Sequence, residues 1–270
     1  MASASVAESI EERLERGEVV FYPLAPFVLP AGGDHAFLLD QRCGGGIHKD
    51  ISFNPHNGKA TGFARHGEAQ EERLGRVLGE FSRAAGVWLG LALPRYAPGI
   101  EADRVSYRPE EEATRRLRHN ARNDLLHVDA FPGRPARGRR ILRLFTNIHP
   151  VETRVWVTSE PLPHLLPQVR DSVTSGTSWW RRLADLVGRR SESDRFMLRL
   201  HDFLKADHDF QRHGSRRLWH FPPGSAWLAM TDGCTYAELR GRCALEHSFF
   251  VRPEVLARPD LAPEALLRAG

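Results

Sequence analysis

Apolar residues recur at spacings of three and four along residues 68 to 93, where Leu74, Val77, Leu78, Phe81, Ala84, Ala85 and Trp88 share one side of a helix that Pro94 ends. The stripe predicts a long helix laid on a sheet. A short helix is expected over residues 6 to 16, followed by a brief strand at Val19-Val20-Phe21-Tyr22 closed by Pro23. Alternating patterns mark strands at 104 to 108, 125 to 129, 140 to 147 and 154 to 158. In the third of these, Ile141, Arg143, Phe145 and Asn147 share one face, and Leu142, Leu144 and Thr146 the other. Four more short strands, at 218 to 221, 225 to 231, 235 to 239 and 243 to 251, are punctuated by Pro222-Pro223-Gly224, Asp232-Gly233 and Arg240-Gly241-Arg242. Residues 161 to 214 carry helical patterning, at 179 to 187 and 195 to 205 above all, and read as an insertion between the two strand groups. The segment from 31 to 59 is rich in Gly, Asp, Asn, His and Pro and reads as a structured loop or lid.

Evenly spaced strands with tight turns predict a mainly β fold with flanking helices: a double-stranded β-helix, jelly-roll or cupin-like, with a helical insertion. One domain is expected over residues 1–270, with N-terminal helices and the lid-like loop at 1–95, barrel strands at 104–160 and 216–252, and the insertion at 161–215. No apolar run approaches the roughly 18 residues that cross a bilayer, and the acidic start of the chain does not read as a signal peptide. Cys43, Cys234 and Cys243 are odd in number and lack C-x-x-C spacing, which points away from a disulfide framework or zinc knuckle and toward a reducing, cytoplasmic setting.

The formal net charge is +4 with a pI near 9.2. Lys49, Lys59 and Lys205 are the lysines, so arginine carries nearly all the positive charge. Codon usage in a GC-rich genome accounts for such a bias, as does an anionic partner held by guanidinium groups. The local concentrations are Arg115-Arg116-Leu117-Arg118, the stretch from Arg134 to Arg143, and Arg216-Arg217. None is interleaved with aromatic residues as in a nucleic-acid platform, and no nucleic-acid partner is expected.

The chemistry centres on Leu125-Leu126-His127-Val128-Asp129-Ala130-Phe131-Pro132. On an extended backbone His127 and Asp129 point to the same face. An imidazole beside a carboxylate supplies two parts of the facial triad that holds non-haem Fe(II) and leaves positions open for co-substrate and O₂. The third ligand is expected at the start of the strand after Asp232-Gly233, which places it at Tyr236. His247 is the alternative, because a neutral imidazole ligates readily whereas a tyrosine must lose a proton of reference pKa near 10. His149, His164, His201, His208 and His213 fall in turns or the insertion and read as solvated or capping residues; His220 lies one strand too early. Arg143, inward-facing on a barrel strand, needs a carboxylate partner. That partner is either a protein acid or a small dicarboxylate co-substrate clamped bidentately, with Asn147 as helper.

Several stretches together resemble the Kdo (3-deoxy-D-manno-octulosonic acid) hydroxylase family. They are Leu126 to Pro132, Arg139 to Pro150, Arg154-Val155-Trp156, Lys49 to Pro55 with Gly58-Lys59, Phe221 to Ser225, Thr231-Asp232 and Ala244 to Phe249. The resemblance implies a double-stranded β-helix in which His127 and Asp129 hold Fe(II), with 2-oxoglutarate and O₂ as co-substrates. It also implies hydroxylation of the Kdo sugar of bacterial lipopolysaccharide or its lipid A precursor, a substrate whose acid groups would suit the arginine excess, and peripheral contact with an anionic inner-membrane surface. The family pattern has a histidine where this chain has Tyr236. A barrel of the same ancestry that binds an acidic sugar or lipid head group without turnover is therefore the alternative, and a two-ligand cupin-type isomerase a third reading.

Overall fold

The structure, a computed structural model, describes residues 8–45, 50–65, 67–111, 118–175 and 190–269. Lys49, the Arg115-Arg116-Leu117 run and the helical pattern at 179 to 187 lie outside them.

The long amphipathic stripe forms helix α3 (Glu68–Ala92), which buries Leu74, Val77, Leu78, Phe81, Ala85 and Leu89. Its continuation is cut at Leu93, ahead of Pro94, whose ring disfavours helical backbone in the preceding residue. Two smaller helices precede it, α1 (Ile10–Glu15) and α2 (Gly32–Leu39). Ser9 and Glu12 close a reciprocal capping box on α1, satisfying two backbone donors that the first turn leaves without partners.

Seven strands make one antiparallel sheet, in the order β1 (Val20–Tyr22), β8 (Ala226–Met230), β5 (Arg140–Asn147), β10 (Ala244–Val251), β4 (Ile100–Arg108), β2 (Ile51–Asn54) and β3 (Lys59–Thr61). Three strands make a second sheet, β7 (Arg217–Phe221), β6 (Arg154–Thr158) and β9 (Tyr236–Arg240). The segment from 31 to 59 is thus not a lid-like loop: its apolar residues Phe37, Leu38, Ile51 and Phe53 join the core under α3, carried by α2 and β2.

Period-two alternation sorts each central strand into two faces. On the outer face Leu142, Leu144, Leu228, Met230, Phe249 and Val251 pack under α3. On the inner face Phe145 and Trp227 meet Trp156, Phe221 and Tyr236 of the smaller sheet, so the two sheets share a core. The sheets are open rather than closed into a barrel. The stretch 125 to 129 is not a full strand: it pairs with β9 by a single bridge, His127 to Tyr236, and its other backbone donors go elsewhere.

The insertion supplies α4 (Leu162–Ser175), α5 (Glu192–Ala206) and α6 (His208–His213). Leu162, Leu165, Leu166, Phe196, Met197, Leu200 and Leu204 pack around Val128. That contact fixes the middle residue of the His-x-Asp stretch, and with it the direction of its neighbours. The chain closes with α7 (Pro263–Ala269). No helix among the described residues is long and apolar enough to cross a membrane.

Candidate metal and co-substrate site

His127 is held from both sides of its peptide. Its N–H donates to the Tyr236 carbonyl at 3.0 Å, and the Tyr236 N–H donates back to the His127 carbonyl at 2.9 Å. The Asp129 N–H donates to the Thr231 carbonyl at 2.7 Å. The His127 ring Nδ1 lies 2.7 Å from the Leu125 carbonyl, an acceptor only, so Nδ1 carries the proton and the Nε2 lone pair is left free. Nε2 is 3.8 Å from Asp129 Oδ1. One divalent ion with bonds of about 2.1 Å to nitrogen and oxygen can span that gap.

The protonation states suit an ion. Burial first, then the nearby Lys205 and His201, push the His127 pKa well below its ordinary value, so the ring is neutral. Burial raises the Asp129 pKa, but the Arg143 guanidinium, His127 and the hydrogen bonds from Thr231 and Arg143 together outweigh it and hold the carboxyl well below its usual range. A neutral imidazole beside an ionised carboxylate is the donor chemistry that a divalent metal needs. Among the described residues no three His, Cys, Asp or Glu side chains gather in a way that could hold a metal. The site therefore offers two such donors.

Tyr236, the residue expected in the third place, lies beside the pair. Its ring lies 4.7 Å from the His127 ring, and its hydroxyl donates to Asp129 Oδ1 at 3.2 Å while accepting from Arg143 Nη1 at 3.0 Å. Burial and the Asp129 charge push its pKa well above the ordinary tyrosine value, so the phenol keeps its proton. It acts on Asp129 as a neutral hydrogen-bond donor rather than as a phenolate.

His247, the alternative third ligand, is not brought to the site. It lies on the opposite face of β10 from Glu246 and Ser248, with Nε2 3.0 Å from Ser82 Oγ of α3 and its ring against Phe81 and Phe249. Alternation along the strand put it there. Asn147 is also elsewhere. Its amide nitrogen donates to the carbonyls of Glu152 and Phe221, and its Oδ1 accepts from the His149 N–H, so it ties down the β5–β6 turn.

Arg143 is in the site, and its partners are protein acids. Nη1 donates to Asp129 Oδ2 at 2.8 Å and Nη2 to Glu246 Oε2. The pairing continues inward: Arg108 bonds Glu246 and faces Glu238 at 3.9 Å, and Arg154 bonds Glu238. Three carboxylates and three guanidiniums thus neutralise one another in the interior, as buried charges must. The Arg143 Nε is buried without an acceptor.

A cavity of about 450 Å³ opens on Asp129, lined also by Arg134, Arg143, His201, Lys205 and Ser248. Burial first, and Arg143 next, lower the Arg134 pKa to about 10. The residues missed from sequence are those of α5. His201 sets its ring edge-on to His127, centroids 5.1 Å apart, with Nδ1 2.8 Å from the Val128 carbonyl. Lys205, 2 % exposed, donates to the Asn120 carbonyl at 3.0 Å. Their i, i+4 spacing on one helix face was a readable signal.

A model of the 3-deoxy-D-manno-oct-2-ulosonic acid (Kdo) hydroxylase family matches residues 1–269. The chain belongs to the Kdo hydroxylase family. Solved structures of the Kdo hydroxylase KdoO, a non-haem Fe(II), α-ketoglutarate-dependent dioxygenase, agree with it throughout. The apo form is 31% identical over 96% of this chain and 88% of that one, with a TM-score of 0.86. The cobalt(II) complex is 30% identical over 96% and 88%, with a TM-score of 0.87. The complex with α-ketoglutarate and Fe(III) is 30% identical over 96% and 87%, with a TM-score of 0.85. Among curated proteins none matches the chain. The family's fold is the cupin-like arrangement described above, in which two open antiparallel sheets take the place of a closed barrel.

Proposed function

We infer that this chain is an Fe(II)- and 2-oxoglutarate-dependent hydroxylase acting on the Kdo sugar of lipopolysaccharide or its lipid A precursor. The observation that carries the reading is the buried His127–Asp129 pair, neutral imidazole and ionised carboxylate 3.8 Å apart, whose Asp129 borders an arginine-lined cavity in a member of this family.

His127 Nε2 and the Asp129 carboxylate are the groups that would hold the iron. When bound, the iron supplies coupled decarboxylation of 2-oxoglutarate and oxygen insertion into a C–H bond. The protein's part is position and charge. The Leu125 carbonyl fixes the His127 tautomer, and Tyr236 and Arg143 each hold one oxygen of Asp129. Tyr236 contributes through that hydrogen bond, and the co-substrate would be taken beside the His127–Asp129 pair. Arg143 lines the cavity and its Nε is buried without an acceptor, a donor that a co-substrate carboxylate would satisfy. Nη1 already donates to Asp129 and Tyr236 and Nη2 to Glu246, so a co-substrate carboxylate would share the guanidinium with protein partners. Arg134 and Lys205 on the cavity wall suit the acid group of the sugar.

Peripheral membrane contact is part of the proposal. Val87 and Leu91, one turn apart on α3, and Leu24 and Val28 on the β1–α2 loop are large apolar side chains between 69% and 80% exposed. Arg83, one turn before Val87 on α3, is also exposed and adds positive charge, a combination suited to an anionic bilayer surface.

Anaerobic titration with Fe(II) and 2-oxoglutarate tests the site. A visible charge-transfer band that saturates with 2-oxoglutarate and disappears in His127→Ala is expected. Absence of the band in the unaltered protein would remove the reading.

A further inference from the structure

Tyr236 is one end of a continuous aromatic stack. Its ring stacks on Trp156, centroids 4.6 Å apart at 22°, and also meets the His127 ring at 4.7 Å. Trp156 in turn touches Trp227 at 5.4 Å and Phe221 at 5.8 Å. Phe221 stacks on Trp219, 6.0 Å away at 8°, and the antiparallel register of β6 and β7 sets Trp156 directly opposite Trp219. Trp156 is fully buried, whereas Trp219 is half-buried at the surface with Arg217 over its outer face. The stack runs from the metal site to solvent.

A second observation concerns Trp156, and its neighbour Trp227 shares it. The Trp156 indole N–H is buried and has no hydrogen-bond acceptor. Buried tryptophans normally find a partner for that group, and an orphan calls for a reason. An indole that loses an electron becomes far more acidic at its N–H. With no acceptor in reach it keeps its proton, and the electron hole is passed on instead of being trapped. Trp219, by contrast, donates to Thr158 Oγ1 at 3.0 Å.

We propose that Trp156 and Trp219, joined through the Phe221 ring and reached from the metal site through Tyr236, form a relay that carries oxidising equivalents from the metal site to the surface when oxygen is activated without sugar in place. The inference rests on the oxygenase reading above. One electron passes from Trp156 through the Tyr236 and His127 rings to the oxidant generated from O₂, leaving the indole as a radical cation that retains its proton. Trp219 returns an electron to Trp156, and a soluble one-electron reductant of the ascorbate class restores Trp219. Two such transfers, with two protons from solvent, reduce the oxidant and release its oxygen as water. The Tyr236 ring serves as a bridge between Trp156 and His127.

Two arms test the relay. In metal-free protein, photo-oxidised ruthenium tris-bipyridine with persulfate withdraws electrons at the surface. A tryptophan radical at buried Trp156 is expected by electron paramagnetic resonance, assigned by its loss in Trp156→Phe, and falling to background in Trp219→Phe, which lies outside the metal site. An unchanged Trp156 radical in Trp219→Phe overturns the relay. In the second arm, protein with Fe(II), 2-oxoglutarate and O₂ but no sugar is mapped by peptide mass spectrometry. Oxidation at Trp219 is expected in the unaltered protein, and in Trp156→Phe it is replaced by oxidation of His127 and Tyr236. Equal Trp219 oxidation in both proteins contradicts the relay. Succinate release, measured alongside, reports separately on the oxygenase reading: without it that reading fails, and the metal-free arm still decides the relay.

Discussion

Arg143 holds Asp129 by a 2.8 Å hydrogen bond while its other terminal nitrogen holds Glu246, so one guanidinium from β5 ties the site carboxylate to β10. All three side chains are buried. Removing the cation leaves two carboxylates facing each other in the interior. Arg143→Ala is therefore expected to lose about 3–5 kcal/mol of stability, the usual effect of breaking a buried pair from one side. Denaturant unfolding measures it. Any 2-oxoglutarate-dependent turnover that survives should require far more co-substrate, because the free Nε is lost as well.

Tyr236 makes two opposite substitutions informative. Tyr236→Phe removes the hydroxyl that orients Asp129, and losing such an outer-sphere partner is expected to weaken Fe(II) binding roughly tenfold. Tyr236→His places an imidazole where the family pattern has one and should tighten Fe(II) binding. Anaerobic calorimetry reads both. Equal affinity in all three proteins would show that position 236 does not face the metal.

His247 gives a pH dependence with a definite sign. Burial lowers its folded pKa to about 3, below the reference value near 6.5 for an unfolded chain. The unfolded chain thus binds a proton that the folded one refuses. The resulting stability is present above about pH 6.5 and is lost as pH falls toward 3, at up to about 1.4 kcal/mol per pH unit for one proton. His247→Gln should lessen the slope between pH 6 and pH 4 by about that amount. Unfolding free energies at several pH values check it.

Gly241 has φ +117°, and a Cβ there would sit 2.9 Å from the Arg154 Cα. Gly241→Ala should cost on the order of 1–3 kcal/mol from backbone strain alone. Because Arg154 is paired with Glu238 and the Gly241 carbonyl, the change should also disturb the interior charge network. Thermal unfolding measures the loss.

The strands were legible because turn residues and alternation coincide. Pro222-Pro223-Gly224, Asp232-Gly233 and Arg240-Gly241-Arg242 separate β7, β8, β9 and β10 within a residue of their predicted ends. Alternation also sorted β5 correctly, with Arg143 and Phe145 inward and Leu142 and Leu144 outward. The same rule, applied to β10, would have turned His247 away once Glu246 was taken as inward. Composition misled at 31 to 59, where Gly and Asp suggested a loop although Phe37, Leu38, Ile51 and Phe53 have core to join. The α5 face with His201 and Lys205 could not be placed, since nothing local says which long-range element a helical insertion covers. Glu246 and Arg108 were illegible for a related reason: a buried ion pair is a property of two strands distant in sequence.

Turnover on the proposed substrate tests the account most directly. With Fe(II), 2-oxoglutarate, O₂ and a Kdo-bearing lipid A precursor, the protein is expected to release succinate and to yield a sugar heavier by one oxygen atom, neither appearing with His127→Ala or Asp129→Ala. Succinate release and sugar mass unchanged from the no-enzyme control, in protein shown to bind Fe(II), would contradict it.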